Sequence, residues 1–322
     1  MHNYPIKFYP ILKEKIWGGT KLMTQLHKKS TSKNVGESWE LSDVEHNVSV
    51  VSNGKLKGKT LRELLETYKE ELIGINNYNR FGNNFPLLIK YIDAKQDLSV
   101  QVHPNDALAK ERHNSFGKTE MWYIMQADQG SKLIVGFNKE ITPDQYLNYV
   151  AEKKIPSILN YERVKAADAF FIEPGTVHTI GAGIVLAEIQ QTSDITYRIY
   201  DWDRVDDKGN PRELHTDLAI EAINFSDKIK AKHQYSTFIN SLNTIVKCEY
   251  FTTNFIHVVG EKGLDYTESD SFVIFMCVQG KATISVDEHS EKLNLGETVL
   301  IPATANKVMI ASKNCKLLEV TV

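Results

Sequence analysis

The stretch Leu98-Ser99-Val100-Gln101-Val102-His103-Pro104-Asn105-Asp106 constrains this chain more than any other. Side chains on a β-strand alternate between faces, so Ser99, Gln101 and His103 share one side while Val100 and Val102 share the other. The valine face packs. Pro104 supplies no ladder N–H and holds His103 extended, so the strand is predicted to end there. An ordinary core strand has no use for an amide and an imidazole opposite two valines. A lone histidine at such a place is more often a satisfied strand end than a ligand.

Two later segments change that balance. Gly117-Lys118-Thr119-Glu120-Met121-Trp122-Tyr123-Ile124 begins with a turn and runs into an aromatic, β-prone strand, with Glu120 at its mouth. Phe170-Phe171-Ile172-Glu173-Pro174-Gly175-Thr176-Val177-His178 reads as strand, Pro-Gly turn, then a histidine opening the next strand. Two imidazoles and a carboxylate from three strands, with Gln101 beside the first, form a plausible nitrogen and oxygen metal shell. Zinc accepts such a set, and a catalytic zinc keeps one position open.

Gln-Val-His-Pro, Gly-Lys-Thr-Glu, Pro-Gly-Thr-Val-His and Ser-Asp-Ile-Thr-Tyr-Arg together resemble type I mannose-6-phosphate isomerase, a zinc enzyme of the cupin fold, in its short bacterial form. The likeness starts near Lys15-Ile16-Trp17-Gly18-Gly19 and Gly36-Glu37-Ser38-Trp39-Glu40, and continues through Asp201-Trp202-Asp203-Arg204. The resemblance implies one Zn2+ per chain on Gln101, His103, Glu120 and His178, with Arg198 as the active-site arginine. It also implies a sugar-phosphate substrate contacted by Ser99, Lys118 and Arg204.

Composition narrows the partners. A net charge of −3 over 322 residues gives no electrostatic case for nucleic acid or an anionic membrane, so a phosphorylated ligand needs a local basic patch. Three cysteines, Cys248, Cys277 and Cys315, without Cys-x-x-Cys spacing, fit free thiols in a reducing compartment. Met1 to Trp17 carries no apolar signal region, and the longest apolar run, Phe272 to Val278, is too short to span a bilayer. A cytoplasmic location is expected. Oligomeric state is left open.

Along the chain, Thr60 to Ile73 is predicted as a helix, with a Thr60/Glu63 capping box and Leu61, Leu64, Leu65, Tyr68 and Leu72 on one face. Glu40 reads as a solvated strand-edge carboxylate, and Trp17 and Trp39 as core aromatics. Phe85 to Ile92 reads as a buried strand in which Lys90 either snorkels at an edge or points into a polar cavity; the resemblance favours the cavity. Buried without a partner, Lys90 would be a base candidate. Thr142-Pro143 starts another helix, Ile184 to Gln191 is a strand with Glu188 as a group that could orient a ligand, and Leu214 to Phe225 is a helix. Asp194, Thr196, Arg198 and Tyr200 share a face if the strand is extended, with Asp194 and Arg198 about 13 Å apart. Asp206 to Pro211 is a turn.

Residues 229–242 read as a connection to short strands whose rhythm repeats that around Phe170 to His178, with Asn306 standing where His178 would. The expected fold is therefore mainly β: two cupin-type jelly-roll β-barrels with a few added helices. Residues 1–240 form the catalytic cupin domain and 241–322 a metal-free, cupin-like one. The resemblance implies aldose–ketose isomerisation of mannose 6-phosphate and fructose 6-phosphate through a cis-enediol, with Arg198 suited to holding oxyanion charge and Lys90, Asp194 or a zinc-bound water as the candidate base. A non-catalytic sugar-phosphate-binding cupin and another cupin metalloenzyme, such as a dioxygenase, are the alternatives.

Overall fold

A computed structural model describes residues 3–205, 208–225 and 230–322. Asp206 and Asp207 of the expected turn, and Ile229 of the expected connection, lie outside the described residues. The first twelve strands are β1 (Ile11–Gly19), β2 (Val35–Leu41), β3 (Leu87–Ala94), β4 (Val100–Val102), β5 (Glu120–Ala127), β6 (Lys132–Phe137), β7 (Leu159–Arg163), β8 (Ala169–Ile172), β9 (His178–Ile180), β10 (Ile184–Gln191), β11 (Tyr197–Tyr200) and β12 (Lys232–His233). They form two sheets, ordered β1-β2-β3-β10-β5-β8-β12 and β11-β4-β9-β6-β7. Trp17, Ile92, Trp122, Ile124, Leu133, Val135, Phe170, Ile180 and Leu186, drawn from both sheets, pack between them.

β3 and β10 are buried along their whole length. Their second face, with Ile89, Tyr91, Ala187 and Ile189, packs into a cluster shared with Phe272, Ile274, Met276 and Leu318 of the C-terminal part. A strand covered on both sides reads as a continuous apolar run; of the polar exceptions, Lys90, Glu188 and Gln190 fall on the inward face, while Asp93 and Gln191, near the strand ends, fall on the other. Outside the five-stranded sheet, Val100, Val102, Ile134 and Tyr197 pack with Tyr146 and Ala219 of the helices Pro143–Ala151 and Thr216–Ala222.

The third sheet comprises β13 (Asn243–Lys247), β14 (Thr252–Asp265), β15 (Val273–Val286), β16 (His289–Asn294), β17 (Thr298–Ile301) and β18 (Lys307–Thr321), with its own core of Ile256, Phe275, Ile284, Ile310 and Leu317. Its edge reaches back: Ile6 and Leu300 exchange two backbone hydrogen bonds.

Several local expectations need correcting. The helix predicted from Thr60 keeps its capping box but stops at Tyr68, where Lys69 takes φ 46°, and a second helix, Glu70–Ile73, follows. The break turns Leu72 and Ile73 into the core shared with the C-terminal sheet. Residues 232–233 of the expected connection pair with β8 and extend the seven-stranded sheet. Glu40 is not solvated: it is buried, accepting from Lys28 Nζ at 2.7 Å and from Ser38 Oγ at 2.5 Å. Not all the strands after the connection are short: β15 runs unbroken from Val273 to Val286, with register shifts against β18 between Cys277 and Gln279 and between Gly280 and Thr283.

Candidate metal centre

Register brings the expected ligands together. Gln101 lies opposite His178 across β4 and β9, and opposite Arg198 across β4 and β11. Glu120 opens β5 on the facing sheet, beside Gln190. One nitrogen from each of His103 and His178 and one oxygen of Glu120 lie within 4.8 Å of one another, the only such cluster of three among the described residues. His103 Nε2 is 3.3 Å from Glu120 Oε1, and His178 Nε2 is 3.7 Å from Glu120 Oε2. Gln101 Nε2 sits 3.3 Å from His178 Nε2; its amide is two-sided, so the same side chain offers Oε1.

The outer nitrogens fix the tautomers. His103 Nδ1 donates to the Ile195 carbonyl at 2.9 Å and His178 Nδ1 to the Thr176 carbonyl at 2.8 Å. Each ring therefore carries its proton outside and turns a lone pair inward, as metal-bound imidazoles do. Burial, reinforced by the Lys118 charge, lowers the pKa of His103 to about 3, and burial lowers that of His178. Burial acts to raise the pKa of Glu120, but opposing influences, the Lys118 charge first among them, hold the carboxyl well below its usual range. His103 Nε2 and both Glu120 oxygens are buried without a partner in hydrogen-bond geometry. Three orphaned donor atoms converging on one point fit a cation that accepts nitrogen and oxygen.

The other expected residues surround this point unequally. Lys118 is buried, with Nζ 3.1 Å from Glu120 Oε1, and Ser99 is buried just before β4. Lys90 does lie in the polar interior, 2.9 Å from Glu188 Oε2 and 2.5 Å from Gln190 Oε1. Burial acts to lower its pKa, but Glu188 and Glu37 outweigh this and raise it, so Lys90 stays an ammonium. Glu188 also accepts from Trp122 Nε1 at 2.8 Å, and the edge of the Trp122 ring meets His178.

Asp194 is exposed in the segment before β11, one residue ahead of the carbonyl that holds His103. Pairing starts only at Tyr197 and shifts register between Arg198 and Tyr200, so the extended face expected from Asp194 to Tyr200 is not formed.

Arg204 departs furthest from expectation. Trp202 and Asp203 take φ 58° and 53°, ending the strand and turning the chain back. Arg204 Nη2 then pairs with buried Asp201 at 2.5 Å and Nη1 donates to the Asp97 carbonyl at 2.7 Å. Arg212, which no sequence pattern singled out, grips the same Asp201 carboxylate. Burial and the neighbouring Arg212 and Arg204 lower the Arg198 pKa. Two guanidiniums, those of Arg204 and Arg212, thus share one buried carboxylate, with Arg198 close enough to feel all three charges. A cleft of about 660 Å³ has Asp97 and Trp202 of this rim in its lining but none of the three ligands.

Acid should loosen the metal-free protein. A histidine whose folded pKa is depressed contributes stability that is complete above its unfolded value, near 6.5, and is lost as pH falls toward its folded value of about 3. Urea midpoints of the metal-free wild type should fall steadily across that window, and His103→Gln should flatten the slope. Equal slopes would mean that His103 is already charged in the native state.

Comparisons with known proteins place the whole chain. A model of the type I phosphomannose isomerase catalytic domain matches residues 6–130, and one of the mannose-6-phosphate isomerase cupin domain matches residues 241–322. The chain is 36% identical over 305 residues to mannose-6-phosphate isomerase ManA of Bacillus subtilis (strain 168), covering 94% of each. It is 34% identical over 301 residues to mannose-6-phosphate isomerase of Streptococcus mutans, covering 93% of each. Its fold matches the crystal structure of the mannose 6-phosphate isomerase from Bacillus subtilis with a TM-score of 0.89 at 32% identity, covering 99% of both chains.

Proposed function

The chain belongs to the type I mannose-6-phosphate isomerase family, and from that premise we propose a zinc-dependent interconversion of mannose 6-phosphate and fructose 6-phosphate through a cis-enediol. The observation that carries the proposal is the convergence of His103, Glu120 and His178, with Arg198 aligned beside Gln101. Zinc on Gln101, His103, Glu120 and His178 would supply Lewis-acid polarisation of the sugar oxygens. Residues 1–240 are read as the catalytic unit and 241–322 as a metal-free unit that covers the outer face of the seven-stranded sheet.

The chain's own residues divide the remaining work. Arg198, always charged and fork-shaped, faces developing oxyanion charge. Lys90, kept an ammonium by Glu188, steadies the same charge from inside and does not act as the resting base. Asp194, at the mouth, is the carboxylate assigned to move the proton between C1 and C2. Lys118 and Ser99 lie on the substrate side of the ligands. The phosphate meets the rim formed by Arg198, Arg204 and Arg212, of which only the last two are paired with Asp201.

A coupled isomerase assay on the zinc-loaded protein tests the reading, and absence of turnover with both sugar phosphates would sink it. Arg204→Ala separates the phosphate subsite from the chemistry. Loss of a charge-assisted contact of roughly 1.5–3 kcal/mol should raise KM for mannose 6-phosphate about ten- to a hundredfold. Because such binding is uniform, kcat should change far less. Unchanged KM would move the anchor to Lys118 and Ser99.

A further inference from the structure

Arg198 sits on β11, the edge strand of the five-stranded sheet, and its outer hydrogen-bonding side is met by residues 213–215. His215 N donates to the Arg198 carbonyl at 2.8 Å. In a regular antiparallel pair the His215 carbonyl would accept from Arg198 N in return. It is directed into the helix instead: His215 is the N-cap of Thr216–Ala222, and its carbonyl accepts from Ala219 N at 2.8 Å. The ring fills the vacancy: Arg198 N donates to His215 Nδ1 at 2.9 Å.

The residue type is informative here. An N-cap normally uses a short polar side chain to bind its own helix, yet the His215 side chain makes no capping bond. It is turned onto Arg198, whose guanidinium is held from the same segment by the Glu213 carbonyl, 2.7 Å from Nη1. We propose that His215 is a positioning residue, whose unprotonated Nδ1 locks the Arg198 backbone at the point where β11 shifts register, and so aims the guanidinium at the substrate oxygens. The inference rests on the assignment of Arg198 to catalysis.

The test compares Arg198→Ala, His215→Ala, His215→Asn and His215→Gln as zinc-loaded enzymes, with metal content and Tm measured alongside kcat and KM for mannose 6-phosphate. Misplacement of a catalytic group by about 1 Å lowers rate by up to about a hundredfold, so His215→Ala should lose about ten- to a hundredfold in kcat with metal content unchanged. Asn places an acceptor oxygen near the position of Nδ1 and should restore kcat to within about fivefold of wild type. Gln, one bond longer, should not. Should His215→Ala fail to fold, the contrast between Asn and Gln still decides. Wild-type kcat in His215→Ala, or equal damage in the Asn and Gln variants, would overturn the positioning role while leaving Arg198 in place. Full activity in Arg198→Ala would instead remove the assignment beneath it.

Discussion

His178→Ala should lose about a thousandfold in turnover while keeping its fold. The imidazole is buried, its Nδ1 proton is committed to the Thr176 carbonyl, and its Nε2 faces Glu120. Removing it deletes one of three converging donors, leaving only His103 and Glu120 in the buried cluster. A Lewis-acid contribution of several kcal/mol corresponds to about three powers of ten in rate. The two cores beside the site are apolar and separately packed, so circular dichroism and the urea midpoint should change little. Chelation of the wild type should reproduce the kinetic defect, and His103→Ala should match it. Because an imidazole and carboxylate set is not selective, cobalt or manganese should restore part of the chelated enzyme's activity. Wild-type turnover in His178→Ala at limiting zinc would mean that the ligand set is wrongly assigned.

Lys28→Met should unfold the protein more easily by about 3–5 kcal/mol, the cost of breaking a buried ion pair from one side. Lys28 and Glu40 are 9% and 7% exposed, so neither partner can fall back on water. The ammonium also donates to the Gly296 carbonyl at 2.6 Å, tying the first unit to the C-terminal sheet, and lies 5.3 Å over the Tyr91 ring. After the substitution, Glu40 keeps only Ser38, and the Gly296 carbonyl loses this donor. Replacing both members, as Lys28→Met with Glu40→Leu, removes the stranded charge and should recover most of the loss. Urea unfolding of the single and double variants gives the comparison. A single variant within about 1 kcal/mol of wild type would show that the carboxylate relaxes to solvent.

The side chains that could hold a metal were legible in part because alternation along a strand is a local property of the backbone. Val100 and Val102 face one way and Gln101 the other whatever the strand pairs with, and the Pro-Gly turn before His178 is equally local. The capping box at Thr60 and the helix start at Thr142-Pro143 were readable for the same reason, and both are formed. Other features depend on partners far along the chain. Gln101 meets His178 and Arg198 only because β4 lies between β9 and β11, and the Lys90–Glu188 pair joins residues on separate strands, β3 and β10. Nothing near Glu40 announces that Lys28 and Gly296 will bury it. No local rule puts a tryptophan and an aspartate in succession at positive φ, yet that turn takes Arg204 off the strand and onto Asp201. The sequence by itself determined which side chains could face a metal. Tertiary pairing decided which of them meet, because strand order and register depend on how whole sheets bury their apolar faces, and no single stretch of chain contains that information.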